Sequence, residues 1–451
     1  MSSPASRSIF FAARRALSHH ATGGNVLMCA TVLALIVANI PGLNTLYNDF
    51  WTQEMRLQIG SFNVLSHAGH PMTVIQFIND ALMAIFFFNI GLEIKREVLV
   101  GELSSFRQAL LPIMAAIGGM AVPVGIFWLM SRGTDYAGGA AIPMATDIAF
   151  SLGIIAMLGS RVPVSLKIFL TTLAVVDDIG GIIIAAFYSG HIEASYLAYA
   201  AIGLLVLLAG GAWLKIQTKM FYFIVGGVVW FLVLNSGIHP TIAGVLVALT
   251  VPATPVYAPE KYIKVIRDTI RNFRETDDIG LEARAMLSHE QLDWLKEIES
   301  ASDRVISPLQ DMEDQLHPLT DYLIIPLFAF ANAGIFLGGF DIASVFGGIS
   351  LAIILGLVVG KFVGIFTFSW LTVKTGLAPM PSGTDWRMIA VVSMLGGIGF
   401  TVSLFIADLT FGSTSAVLLN LSKLGIIVGS LVAGVGGYLL LRAFLPKEKN
   451  E

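Results

Sequence analysis

The sequence predicts an all-α polytopic membrane protein of about twelve transmembrane helices, on three observations. Its 451 residues are 55% hydrophobic and only 13% charged, with a mean hydropathy of +0.78, far more apolar than a soluble domain. Windows of about 20 apolar residues, long enough for a hydrocarbon core of roughly 30 Å, recur along the chain. Finally, two adjacent carboxylates, Asp177 and Asp178, stand inside the apolar run from Ile168 to Tyr188. The formal net charge is -4 and no basic stripe is present, so a nucleic-acid partner is not expected. A single cysteine, Cys29, excludes an intrachain disulfide. No feature calls for a cofactor.

Taken in order, residues 1–23 carry Arg7, Arg14 and Arg15 without a cleavage signal and read as a retained tail. Spans are expected near 24–43, 73–95, 108–130, 137–159, 166–189, 195–214, 218–235 and 238–254, then 319–340, 346–373, 387–411 and 415–443. The chain thus divides into spans one to eight over 24–254, a charged insert over 255–317, spans nine to twelve over 318–443 and a tail over 444–451. Lys and Arg concentrate in alternate connections, whereas the opposite set holds Arg56 and Arg132. By the positive-inside rule both termini and the insert are cytoplasmic.

Two connections stand out. Met55 to Val64 alternates around Gly60 and Ser61, as an external β-hairpin within about 52–66 would, and a hairpin edge can pair with a second copy; an unpartnered loop is the alternative. Between spans eight and nine, residues 256–316 hold eight Lys/Arg and fourteen Asp/Glu. Ser288 to Gln291 has capping-box spacing before Leu292, and Tyr262, Ile266, Ile270 and Phe273 form a helical stripe, so two amphipathic helices are expected there, with a solvated segment as the alternative.

The chemistry lies in the membrane. Ionised carboxylates at mid-span are costly, so Asp177 and Asp178 must face water, a cation or a counter-charge, or else hold protons. Two like charges side by side titrate as a coupled pair, which suits exchange of a cation for protons; a structural packing pair is the alternative. Span four places Pro143, Thr146 and Asp147 at similar depth, and span eleven answers with Gly396-Gly397-Ile398-Gly399-Phe400-Thr401. Interruptions in matching three-span units, three to five and ten to twelve, suggest inverted repeats in which two discontinuous helices cross. Facing half-helix ends leave partial charges. Asp147 can compensate the N-termini and Lys361, in the middle of span ten, the C-termini. Singly, the glycines suit packing and the proline a kink.

The chain resembles the NhaA-type sodium/proton antiporter family. The resemblance runs from end to end, through Asn79-Asp80, Gly91-Leu92-Glu93-Ile94-Lys95-Arg96-Glu97, Ala145-Thr146-Asp147, Val176-Asp177-Asp178, His239-Pro240, His317-Pro318, Gly360-Lys361 and Gly399-Phe400-Thr401. It implies an electrogenic secondary transporter of the bacterial inner membrane, not an enzyme, that exports Na+ or Li+ against entering H+ and forms a homodimer. It further implies Asp177, Asp178 and Thr146 as cation and proton ligands, and Asp147 and Lys361 as dipole-compensating residues, with Lys361 pairing with Asp177 when sodium is absent. Glu93, Arg96, Glu97, Glu313, His317 and His239 match residues associated with pH response. Asp314 stands where the family pattern has histidine, and the insert is long. On their own, charges at a helix end such as Glu93 and Arg96 are ordinary interfacial groups. Asp80 reads as a structural hydrogen-bonding acid and Asp408 as interfacial. Rival readings are an organic-anion carrier clamped by Lys361, a channel, and an intramembrane aspartyl protease. The last is hindered because neighbouring residues on a helix point about 100° apart.

Overall fold

The computed structural model describes residues 23–59, 62–63, 65–67, 70–157, 162–187, 193–214, 216–255, 259–275, 289–336, 338 and 345–444. Both tails, the Gly60 and Ser61 turn, Arg161, Lys215 and the Ser288 capping position lie outside these residues. The architecture is helical. Helix α1 spans Gly23–Asn39 and bends by 116° into α2, Leu43–Trp51. The bend is made at Gly42, whose φ of 86° favours glycine.

In the next connection, β1 Gln58–Ile59 pairs with β2 Phe62–Asn63, and β3 Ser66–His67 with β4 His70–Pro71. The first of these ladders is a short antiparallel pairing at the position of the expected hairpin, two residues long on each side among the described residues.

The long helices follow. They are α3 (Val74–Leu99, with a π-helical turn at Phe77–Leu82), α4 (Phe106–Met130), a 3-10 segment (Ala137–Met144), α5 (Ile148–Ala156) and α6 (Val164–Phe187). Next come α7 (Ala194–Ala212), α8 (Lys219–Ser236) and the short α9 (Thr241–Thr250). In the hydrophilic stretch lie α10 (Pro259–Glu275) and α11 (His289–Val305), which pack on each other. Helix α12 (Pro308–Leu319) is capped by Ser307 and continues through a π-helical turn into α13 (Ile325–Asn332). The last turns of the charged stretch belong to the packed body, because Leu309, Met312 and Glu313 are buried. The chain ends with α14 (Gly348–Lys374), α15 (Trp386–Leu395), α16 (Phe400–Phe411) and α17 (Ala416–Phe444).

Among the described residues, seven helices are long and apolar enough to cross a membrane, or up to nine if each bent pair is one span. Helix α6 carries Lys167, Asp177 and Asp178, and α9 has 10 residues, so length and apolarity alone do not reach twelve. Leu205 and Leu439 remain 63% and 56% exposed on α7 and α17, as lipid-facing side chains do. Glycine lets helices approach closely in place of a water-driven hydrophobic effect. A Cβ on Gly118 would meet the Gly364 carbonyl, locking α4 against α14, and one on Gly244 would meet the Ala84 carbonyl, locking α9 against α3.

Candidate cation and proton site

The site is built where two helices stop. The 3-10 segment carrying Pro143 ends at Met144, Ala145 to Asp147 are non-helical, and Asp147 caps α5 by accepting from the Phe150 N–H at 2.9 Å. The second break, Gly396 to Gly399, separates α15 from α16, with a 41° bend. A Cβ on Gly397 would run into the Leu357 carbonyl, so only glycine permits this approach.

The two breaks are hydrogen-bonded to each other. The Asp147 N–H donates to the Ile398 carbonyl at 2.6 Å. Its carboxylate accepts from the Thr401 N–H at 3.0 Å and the Thr401 hydroxyl at 2.6 Å. Asp147 therefore bonds the first turns of both α5 and α16, where unpaired N–H groups concentrate positive charge. Carbonyls at the opposite half-helix ends are met by hydroxyls: Ser151 donates to Leu395 O at 3.1 Å and Ser403 to Ile142 O at 2.8 Å.

Against these breaks lies α6, with Asp177 fully buried and Asp178 3% exposed. Lys361, also fully buried, follows a π-helical turn at Gly356–Gly360, and its Nζ lies 2.5 Å from Asp177 Oδ2 and 3.0 Å from Thr146 Oγ1. The Thr146 hydroxyl is 2.7 Å from Asp177 Oδ2 and 2.9 Å from Gly396 O; its one proton serves one of them at a time. Lys361 thus reaches the second break through Thr146. Asp177 Oδ1 and Asp178 Oδ1 are buried and accept no hydrogen bond among the described residues. Asp178, Thr146, Asp147 and Thr401 line a cavity of about 370 Å³ that extends to Glu93, His317 and Asp321 at the charged ends of α3 and α12. The arrangement holds one neutralised carboxylate and, beside it, one with no counter-charge in hydrogen-bond contact.

The family model described as Na+/H+ antiporter 1 matches residues 14–441. The chain belongs to this family. Na+/H+ antiporter NhaA of Phocaeicola vulgatus is 53% identical over 443 residues, covering 97% of each chain. That of Bacteroides thetaiotaomicron is 51% identical over 429 residues, covering 94% of this chain and 96% of its own. NhaA of Oleidesulfovibrio alaskensis is 43% identical over 443 residues, covering 97% and 95%. These relatives are antiporters, which are transporters and not enzymes. With its apolar helices, this member of the family is an integral membrane protein.

The remaining residues singled out in the sequence fall into two groups. At the end of α3, Arg96 pairs with Glu313 at 2.6 Å and with Glu97 at 3.2 Å. Burial pushes the Glu313 carboxyl up, opposed by Arg96. His317 Nδ1 lies 3.3 Å from Asp321, and that hydrogen bond holds the imidazole above its usual range. Asp314 is exposed. His239 is elsewhere: its Nδ1 is 2.8 Å from the Thr241 hydroxyl, its Nε2 is 3.5 Å from Asp80, and its ring stands edge-on to Phe405 of α16.

Three features are not in the sequence reading. Asp408 is not interfacial: it accepts from Asn79 at 2.8 Å, Asn79 accepts from Asn332 at 2.9 Å, and Asp408 interacts electrostatically with Lys423. Lys423, 7% exposed, is a second buried lysine besides Lys361. The available signal was their opposite charge on either side of the Gly412 to Ser415 connection. Lys95 closes the end of α9 by donating to the carbonyls of Leu249 at 2.7 Å and Val251 at 2.5 Å. Asn89 of α3 also lines the cavity.

Proposed function

We propose that the protein is an electrogenic, pH-regulated antiporter of the bacterial inner membrane, exporting Na+ or Li+ in exchange for H+ by alternating access at Asp177 and Asp178. The observation that carries this reading is the asymmetry of the pair: Lys361 neutralises Asp177, while Asp178 borders the cavity with a buried oxygen that accepts nothing. Open to the cytoplasm, Asp178 gives up its proton and takes a cation into a hard oxygen shell completed by Asp177, the Thr146 hydroxyl and carbonyls of the broken helices. The cation displaces Lys361 from Asp177, and the proton shared in that pair leaves. Open outward, protons replace the cation. Two protons in for one cation out moves net charge, so the membrane potential drives the cycle.

The scaffold of this reading has twelve spans in inverted repeats, with the two interrupted helices crossing at Asp147 and both termini cytoplasmic. It is supported by the hydrogen bonds between the breaks and by the distribution of Lys and Arg. Asp147 and Lys361 compensate the half-helix ends. The cluster of Glu93, Arg96, Glu97, Glu313 and His317 at the cavity mouth sets the pH response, with His239 acting from the other side. A homodimer joins through the expected external hairpin, at the position of the β1 and β2 pairing.

The test is proton movement in sealed proteoliposomes holding a pH gradient, on addition of NaCl, LiCl or KCl. Collapse by Na+ and Li+ but not K+ is expected. No response from correctly folded protein between roughly pH 6 and 9 would return the carrier and protease readings to the front.

A further inference from the structure

Helix α3 lines the cavity with Phe86, Ile90 and two polar residues one turn apart, Asn89 and Glu93. Glu93 stands toward the charged end of the helix. Asn89 stands deeper, within the apolar run Phe86 to Gly91, and is 4% exposed. Its amide oxygen is buried and has no hydrogen-bond partner among the described residues. A buried acceptor left unpaired costs free energy that an apolar side chain there would avoid. It shares the cavity wall with Asp178, whose Oδ1 is also buried and unpartnered. Two orphaned oxygens on one small cavity, one neutral and one carboxylate, form half-shells for a hard monovalent cation, which takes oxygen ligands of both kinds.

We propose that the Asn89 amide oxygen is a ligand for the transported alkali cation, received from Glu93 at the cavity mouth and passed on to Asp178. This rests on the antiport reading and adds an intermediate station to it. A neutral oxygen suits that place. It replaces one water of the cation's shell without a charge of its own to trap the ion, and transport requires a site that both takes and releases. Because the amide does not titrate, its removal alters cation affinity while leaving the proton chemistry of the acid pair in place.

The experiment measures initial antiport rates against NaCl and LiCl concentration in proteoliposomes, for the full native chain, Asn89→Leu, Asn89→Asp and Asp178→Asn. Asn89→Leu is expected to raise KM for Na+ about tenfold, as loss of a supporting ligand group does, with maximal rate and proton dependence held near native. Asn89→Asp, nearly isosteric, is expected to lower KM for both cations. An unchanged KM in Asn89→Leu overturns the proposal, as does a fall in maximal rate with KM constant, the pattern of a purely structural residue. If Asn89→Leu does not fold, Asn89→Asp decides, and an unchanged KM there overturns it. Failure of the underlying reading looks different: antiport absent in the native chain, or retained in Asp178→Asn, overturns both.

Discussion

Asp147 is the residue whose removal the geometry prices most clearly in structural terms, because one carboxylate serves two helix starts. In Asp147→Ala, three acceptor contacts vanish: Phe150 N–H at 2.9 Å, Thr401 N–H at 3.0 Å and the Thr401 hydroxyl at 2.6 Å. Hydrogen bonds to a charged group contribute about 1.5–3 kcal/mol each, but these share one carboxylate and are not additive. Losing the α5 cap alone costs about 1 kcal/mol, and leaving buried N–H donors unpaired at two positive helix ends adds about 2–4 kcal/mol. The expected loss is about 3–5 kcal/mol. Asp147→Asn keeps one acceptor oxygen but turns an amide nitrogen toward donors, for an expected loss of about 2 kcal/mol. Thermal unfolding in detergent, followed by near-ultraviolet circular dichroism, should rank the proteins native, then Asn, then Ala. Co-melting of Asp147→Ala with the native protein would refute the claim that this carboxylate joins the two breaks.

Other outcomes follow from the packing and charge. Arg96→Ala leaves the Glu313 side chain, 2% exposed, without its partner; since Arg96 itself is 35% exposed, the expected destabilisation is about 1–3 kcal/mol, largely recovered in the double variant with Glu313→Gln, and a double-mutant cycle of melting temperatures checks it. His317 is held above its usual value of 6.5, chiefly by Asp321, with Glu93 and Glu313 also facing it. Its contribution is therefore complete below 6.5 and lost as pH rises through the folded value, so the stability gap between the native chain and His317→Gln should narrow with rising pH. A gap that stays constant over roughly pH 5.5 to 8.5 contradicts this. Gly397→Ala forces a methyl against the Leu357 carbonyl and should cost about 1–3 kcal/mol, read as a lowered melting temperature.

Much of the site was legible because charge and helix breakers inside apolar runs have few innocent explanations. Asp177, Asp178, Asp147 and Lys361 each stand out against the cost of burying an ion, and the structure brings them together with Thr146. Proline alone was a weaker guide: Pro112 and Pro123 sit inside the continuous α4, whereas Pro143 precedes a break secured by Asp147. What the sequence hid was pairing across distance. Asp408 read as interfacial because depth along its span was the only measure, yet Asn79, 329 positions away, is its partner. Lys423 lies near the start of its helix, a place where a lysine is ordinarily exposed, so only the structure shows its burial. Asn89 passed as one polar residue in an apolar stretch, since only the cavity reveals what its oxygen faces. Helix α2 follows the first span after the turn at Gly42, whose positive φ only the structure shows.

The central claim, that one cation exchanges for the protons of a coupled acid pair, is tested most directly by counting protons released when NaCl is added to the purified protein in weakly buffered detergent at alkaline pH. Two protons per bound Na+ are expected in the native chain, and neither binding nor release in Asp178→Asn. Sodium binding without proton release, or undiminished release from Asp178→Asn, would contradict it.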